Sequence, residues 1–131
     1  MSQDWCLVST ARVEGAANDL REQLERLMDA LREAQSRRLA GAGAVDIATG
    51  LMARGGRETR LAPTVAFRKF EAAVTEYRAS LIRALVDEDQ LTFTEVGRLT
   101  GASRQMVARL YHRAAGGTMG NDLAGSRDAG N

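Results

Sequence analysis

The chain of 131 residues has few of the side chains that carry enzyme chemistry or build disulfide frameworks. Its single cysteine, Cys6, excludes an internal disulfide, and there is no CxxC pair for zinc. Cys6 and the single histidine, His112, belong to no recognisable catalytic motif, and the only lysine, Lys69, follows no glycine-rich phosphate loop. We therefore expect no enzyme activity, no cofactor and no bound metal.

Aromatic residues make up only 5% of the chain, although 44% of it is hydrophobic, and much of that apolar content is alanine. Alanine-rich helices with leucine stripes fit a helical bundle better than a β core. No apolar run approaches the roughly 18 residues of a membrane span, and because the first residues lack a charged-then-apolar pattern we expect no signal peptide. The sequence thus predicts an all-α bacterial protein of the cytoplasm, without membrane contact.

A long amphipathic helix is predicted over residues 9–39, after an irregular lead of residues 1–8. Apolar residues recur in it by steps of three and four, the seam spacing of coiled coils and bundles. Alanines and Met28 flank the seam and broaden the apolar stripe, which favours packing against more than one helix. We expect a bundle formed partly within the chain and partly across a homodimer, with oligomerisation through Val13, Leu20, Leu24, Leu27 and Leu31.

Residues 41–63 are rich in glycine and interrupt the helical pattern. We expect a flexible loop there, around a short helical segment near residues 45–52. The loop carries a basic patch of Arg54, Arg57 and Arg60, which is either a solvated connector or a set of accessory contacts to DNA phosphates.

A second amphipathic helix is predicted from Thr64 to Val86, with Pro63 at its entry. Residues 9–86 would then form the oligomerisation region. Its expected core stripe is Phe67, Phe70, Val74, Tyr77, Leu81 and Leu85. At the other end of the chain, residues 117–131 are glycine-rich and polar without an apolar period, which predicts a disordered tail.

The most informative segment is residues 92–114, within a predicted module of residues 87–116. Thr92 and Glu95 have the spacing of a capping box at a helix start. Gly101 can close that helix in the left-handed conformation. Ser103 follows after one residue and suits the N-cap of a second helix. Two capped helices with so short a connection are typical of a helix-turn-helix.

The apolar spacing in this segment supports the same interpretation. Gly97 lacks a side chain where the two helices would approach closely. On the second helix, Gln105, Arg109 and His112 project away from the apolar face. The residues expected to meet in one small core are Val96, Leu99, Val107, Leu110 and Tyr111.

Charge separates this segment from the rest of the chain. Four arginines, at positions 98, 104, 109 and 113, oppose only Glu95, a net of +3, whereas the whole chain carries +1. A local basic face on a nearly neutral protein is typical of a nucleic-acid reader. Arg104 lies in the first helical turn, where the helix dipole disfavours a cation. A phosphate or a guanine edge beside the guanidinium would offset that unfavourable interaction.

The segment TEVGRLTGASRQMVARLY resembles the helix-turn-helix of bacterial transcription regulators, with sigma-factor region 4 and resolvase-type domains as the nearest forms. The resemblance implies that residues 92–99 support a recognition helix at residues 103–113. The expected DNA contacts are Thr94, Arg98, Ser103, Arg104, Gln105, Ala108, Arg109, His112 and Arg113.

Three functions remain open at the level of the sequence. The leading hypothesis is a dimeric transcription regulator that reads an inverted repeat in double-stranded DNA and associates with the nucleoid. The second is a structural DNA binder, either a nucleoid-bridging protein or the small subunit of a phage packaging machine. The third is a protein-interaction module that docks on RNA polymerase, and a helical hairpin that only packs is the structural alternative.

Overall fold

The computed structural model describes residues 4–115, which form five α-helices and no strand. The predicted all-α class is therefore confirmed. The predicted disordered tail at residues 117–131 lies outside the described residues. The helices are α1 (Trp5–Leu39), α2 (Ala44–Ala53), α3 (Gly56–Asp87), α4 (Phe93–Thr100) and α5 (Arg104–Ala115).

The chain divides into two compact units, and both α1 and α3 contribute residues to each. Within the described range, the first unit comprises residues 4–11 and 74–115. The second comprises residues 12–73. The first unit therefore contains α4 and α5, and the second contains α2.

Helix α1 begins at Trp5, so the predicted irregular lead of residues 1–8 is wrong from that residue onward. Asp4 provides the reason, because its carboxylate accepts hydrogen bonds from the backbone N–H groups of Cys6, at 2.7 Å, and Leu7, at 3.4 Å. These bonds satisfy donors that a helix start leaves unpaired. The Trp5 ring then packs edge-on against Tyr77, with centroids 5.7 Å apart.

The predicted flexible loop at residues 41–63 is instead mostly helical. The expected short helix is present as α2, and Gly41 and Gly55, with φ of 102° and 92°, form the breaks on either side of it. Gly50 does not break α2. The Arg37 guanidinium occupies the space where a Cβ of residue 50 would lie.

Helix α3 begins at Gly56 and not at Thr64, and Pro63 lies inside the helix and not at its entry. A proline there removes one backbone hydrogen bond, and burial of its ring offsets part of that loss. The buried face of α3 is also rotated from the predicted stripe. Ala66 is buried, whereas Phe67, predicted in the core, is 47% exposed.

The second unit packs α1, α2 and α3 around small side chains, with Ala30 and Ala66 at its centre. Arg37 on α1 donates a hydrogen bond to the Asp46 carbonyl on α2 at 3.1 Å, and Arg54 forms an ion pair with Glu33. These polar contacts hold α2 against α1.

The predicted oligomerisation seam of α1 divides into two sets in the structure. Val13, Leu20 and Leu27 are half-buried within the chain. Leu24 and Leu31 are both 45% exposed. One edge of the seam therefore packs inside the chain, and the other edge, with Leu24 and Leu31, is an apolar surface that no other part of the described chain covers.

Candidate nucleic-acid interface

Helix α4 begins and ends at the predicted capping residues. The Thr92 hydroxyl accepts the Glu95 backbone N–H at 3.1 Å, and the Glu95 carboxylate accepts the Thr92 backbone N–H at 2.8 Å. The same bond from the Thr92 backbone is the main cause that lowers the pKa of Glu95. Gly101, at φ 80°, closes the helix by donating its N–H to the Gly97 carbonyl at 2.8 Å. The capping box and the glycine cap are confirmed.

The turn between α4 and α5 consists of Gly101, Ala102 and Ser103, and it folds back tightly on α4. A Cβ on Gly97 would lie 2.7 Å from the Ala102 carbonyl oxygen. That distance is too short for any side chain, so the predicted close approach at Gly97 is confirmed. Ser103 caps α5 by accepting the Met106 N–H at 3.1 Å.

A small core fixes α4 and α5 on the C-terminal part of α3. Val96 and Val107 are fully buried and Leu110 nearly so, which confirms their predicted place in the core. Ala79 and Ile82 of α3 complete the cluster, and Tyr111 packs at its edge. Leu99 was expected in the same core, but it is 66% exposed. The contact with α3 is made by the Val96 edge of α4, and Leu99 is left outside it.

A polar network also attaches α5 to α3, and sequence reasoning did not identify it. The Tyr111 hydroxyl donates to the Asp87 carboxylate at 2.8 Å. Arg83 donates to the other carboxylate oxygen, and its guanidinium carbon lies 5.2 Å from the Tyr111 ring centroid. The Arg83 bond and then the Tyr111 bond lower the pKa of Asp87, while the bond to Asp87 raises the pKa of Tyr111.

The only sequence signal for this network was local. Arg83 and Asp87 are four residues apart, a spacing at which helical side chains meet. Tyr111 lies 24 residues beyond Asp87, and nothing in the sequence pairs the two.

The face of α5 opposite this core carries polar side chains that extend outward. Gln105, Arg109 and His112 are exposed, and Ala108 between them is half-buried. Their spacing of four and three residues places them along one side of the helix. The predicted outward face therefore exists, and three of its side chains offer hydrogen-bonding groups.

Further predicted contact residues border this face. Arg104 is exposed in the first turn of α5, with its guanidinium 5.9 Å from the centroid of the Phe93 ring. Thr94 and Arg98 are exposed on α4, and Ser103 is exposed in the turn. Together, these four residues add two guanidinium groups and two hydroxyl groups to the surface of the α4–α5 pair. The Ser103 hydroxyl already accepts a backbone hydrogen bond.

Arg113 has a different environment from the other predicted contacts. Its guanidinium forms an ion pair with Glu76 of α3 at 2.7 Å, with both side chains partly exposed. A paired arginine has less charge to offer a phosphate. In this structure Arg113 contributes to attaching α5 to α3.

The predicted accessory patch lies in the second unit. Arg54 forms the ion pair with Glu33, so its charge is compensated. Arg57 and Arg60 are exposed in the first turns of α3.

Among residues 4–115, no group of histidine, cysteine and acidic side chains is arranged to hold a metal ion. None of the helices described there is long and apolar enough to cross a membrane. No protein-family model matches the chain, and neither a curated protein nor a solved structure matches it significantly.

Proposed function

We propose that this protein is a sequence-specific binder of double-stranded DNA, and that it acts as a homodimeric transcription regulator. The proposal rests on one observation: α5 is capped, buried along one face and extends polar and basic groups from the other. A helix attached in this way can enter the major groove without losing its own packing.

The groups on α5 match the chemistry of base edges. Arg109 can donate two hydrogen bonds to the O6 and N7 atoms of guanine, and Gln105 can both donate to and accept from adenine. The methyl group of Ala108 suits a thymine methyl group. These residues are the proposed source of sequence discrimination.

The bordering groups suit the phosphate backbone. Arg98 and Thr94 on α4 would contact phosphates on one side of the groove, since such contacts position a protein without reading sequence. Arg104 adds a guanidinium to the N-terminus of α5, where the helix dipole already favours an anion. The Ser103 hydroxyl caps α5 by accepting a backbone N–H, so Ser103 contributes to DNA binding by holding the start of α5 in place.

A single recognition helix reads only a few base pairs, so useful specificity requires two half-sites. We propose that dimerisation uses the uncovered edge of α1, where Leu24, Met28 and Leu31 are 45%, 42% and 45% exposed. These residues form a continuous strip at spacings of four and three, the pattern of a helix-packing seam.

Charges beside this strip favour an antiparallel arrangement of the two α1 helices. With the two-fold axis at Met28, Leu24 and Glu25 of one copy lie opposite Leu31 and Arg32 of the other. Leu24 and Leu31 can then pack together, and Glu25 lies within one helical position of Arg32, a pair that recurs by symmetry. Arg32 is within 3.7 Å of Asp29 in the chain, but both side chains are about two-thirds exposed, and such a pair exchanges easily.

The test is selection of binding sites from random DNA, followed by footprinting with the full chain. We expect a protected inverted repeat, with half-sites about one helical turn apart. Arg109→Ala and Gln105→Ala should each weaken binding to that site by about 1–3 kcal/mol. Arg26→Ala is the matched control, because it removes an exposed arginine from α1 without touching the proposed interface.

Two results would redirect the proposal. Protection of extended tracts without a consensus would identify a structural DNA binder. Absence of any DNA binding by the folded chain, with capture of RNA polymerase, would identify a protein-interaction module.

A further inference from the structure

A cavity of about 570 Å³ opens between the three helices of the second unit. Small-molecule sites typically occupy about 300–1,000 Å³ and are mostly apolar, with a few polar groups. This cavity has a volume in that range and a mostly apolar lining with a few polar groups. Its apolar wall consists of Leu27 and Leu31 from α1, Leu51 and Met52 from α2, and the small side chains Ala30 and Ala48.

Two arginines and no acidic residue line this cavity. Arg57 and Arg60 stand on successive turns at the start of α3, and neither forms an ion pair within the described part of the chain. The third nearby arginine, Arg54, is already paired with Glu33. Thr59 cannot offer its hydroxyl proton, because it donates to the Arg54 carbonyl at 2.9 Å. The side-chain hydrogen-bond donors left for a ligand are therefore the guanidinium groups.

Two neighbouring depressions of the same unit differ from the cavity because acidic residues are among their lining side chains. One, on α1, carries Arg21 and Arg32 together with Glu25 and Asp29. The other carries Arg57 and Lys69, and there Asp19 and Glu58 balance them. Arg57 borders this second depression as well as the cavity, whereas Arg60 lines the cavity and has no acidic residue beside it there.

We propose that this cavity binds a small organic acid with one carboxylate and an apolar hydrocarbon body. The hydrocarbon would lie against the leucine and methionine wall, where burial of apolar surface stabilises it. The carboxylate would accept hydrogen bonds from Arg60, with Arg57 beside it, since guanidinium matches the geometry of a carboxylate. The site shares Leu31 with the proposed dimerisation strip but no residue with the proposed DNA-contacting groups of α4 and α5, so ligand binding is measured in the absence of DNA.

The experiment is calorimetric titration of the full chain with decanoate below its micelle concentration. We expect saturable binding of one decanoate per chain. Decanol lacks the charge and decyltrimethylammonium reverses it, so both should bind at least about tenfold more weakly, the factor that one charge-assisted hydrogen bond supplies.

Three variants locate the site. Arg60→Gln should reduce the affinity for decanoate about tenfold, whereas Arg68→Gln, an exposed arginine on α3 outside the cavity, should leave it unchanged. Ala48→Phe should abolish binding by filling the cavity, and because Ala48 is exposed the helical content should persist. Equal binding of anion and cation, no saturable binding, or full affinity in Arg60→Gln and Ala48→Phe would overturn the proposal.

Discussion

Replacing Gly97 with alanine tests the close approach of α4 to the turn. The added Cβ would lie 2.7 Å from the Ala102 carbonyl oxygen and 3.8 Å from the Arg104 backbone nitrogen. Both are backbone atoms and Gly97 is buried, so no flexible side chain can yield. Either α4 or the turn has to move.

Two opposing effects determine the magnitude. Alanine favours a helix over glycine by about 1 kcal/mol, whereas overpacking a tight site costs about 1–3 kcal/mol. Because the clash is with backbone, we expect the upper part of that range and a net loss of about 1–2 kcal/mol in the free energy of unfolding. Gly15→Ala is the matched control, since no atom lies within 4 Å of its Cβ position in α1.

The assay is urea unfolding followed by circular dichroism, with both variants compared with the unmodified chain. Gly15→Ala should raise the free energy of unfolding by up to about 1 kcal/mol, because only helix propensity changes. Gly97→Ala should lower it and also weaken DNA binding, since the turn positions α5. If Gly97→Ala stabilises the protein as much as Gly15→Ala does, the described approach of α4 to the turn is wrong.

Three further predictions concern charged residues. The pKa of Asp87 is lowered in the folded state, so its contribution to stability is present at neutral pH and is lost as pH falls from about 4. Acid unfolding of Asp87→Asn should therefore show a weaker loss of stability in that range. Arg113→Ala should weaken DNA binding less than Arg109→Ala, because Arg113 is paired with Glu76, and equal losses in a binding titration would refute this. Glu25→Arg should dissociate the dimer in light scattering, and adding Arg32→Glu should restore it, whereas dissociation in both variants would exclude the antiparallel register.

Local signals were readable from the sequence because their partners lie within a few residues. The Thr92–Glu95 capping box and the Gly101 cap each depend on contacts across one helical turn. Gly97 was recognisable because glycine destabilises a helix relative to alanine. A glycine inside a helix therefore suggests that another part of the chain lies too close for a side chain. The all-α class followed from apolar periodicity in the same way.

The wrong predictions concern relations that a short window of sequence does not contain. Leu99 has the right spacing for the core, but the way α3 packs on α4 selects the Val96 edge and leaves Leu99 exposed. Proline is common at helix starts in general, yet α3 begins seven residues before Pro63, and Pro63 is buried inside the helix. The contact of Tyr111 with Asp87 depends on the same tertiary arrangement.

The glycine-rich stretch illustrates a different difficulty. Its glycines were interpreted together as a loop, although only some of them break a helix. Gly41 and Gly55 adopt positive φ and terminate helices. Gly50 lies within α2 and is not among the glycines with positive φ, and the Arg37 side chain packs beside it. Composition alone does not distinguish the two kinds of glycine.

The central claim, that α5 reads bases, is tested most directly by coupling one side chain to one base atom. In the selected site, each guanine is replaced in turn by 7-deazaguanine, which lacks the N7 acceptor. The affinities of the unmodified chain and of Arg109→Ala are then compared. We predict one guanine in each half-site where the replacement costs the unmodified chain about tenfold or more and costs Arg109→Ala nothing. Equal losses for both proteins at every guanine would contradict base reading by Arg109.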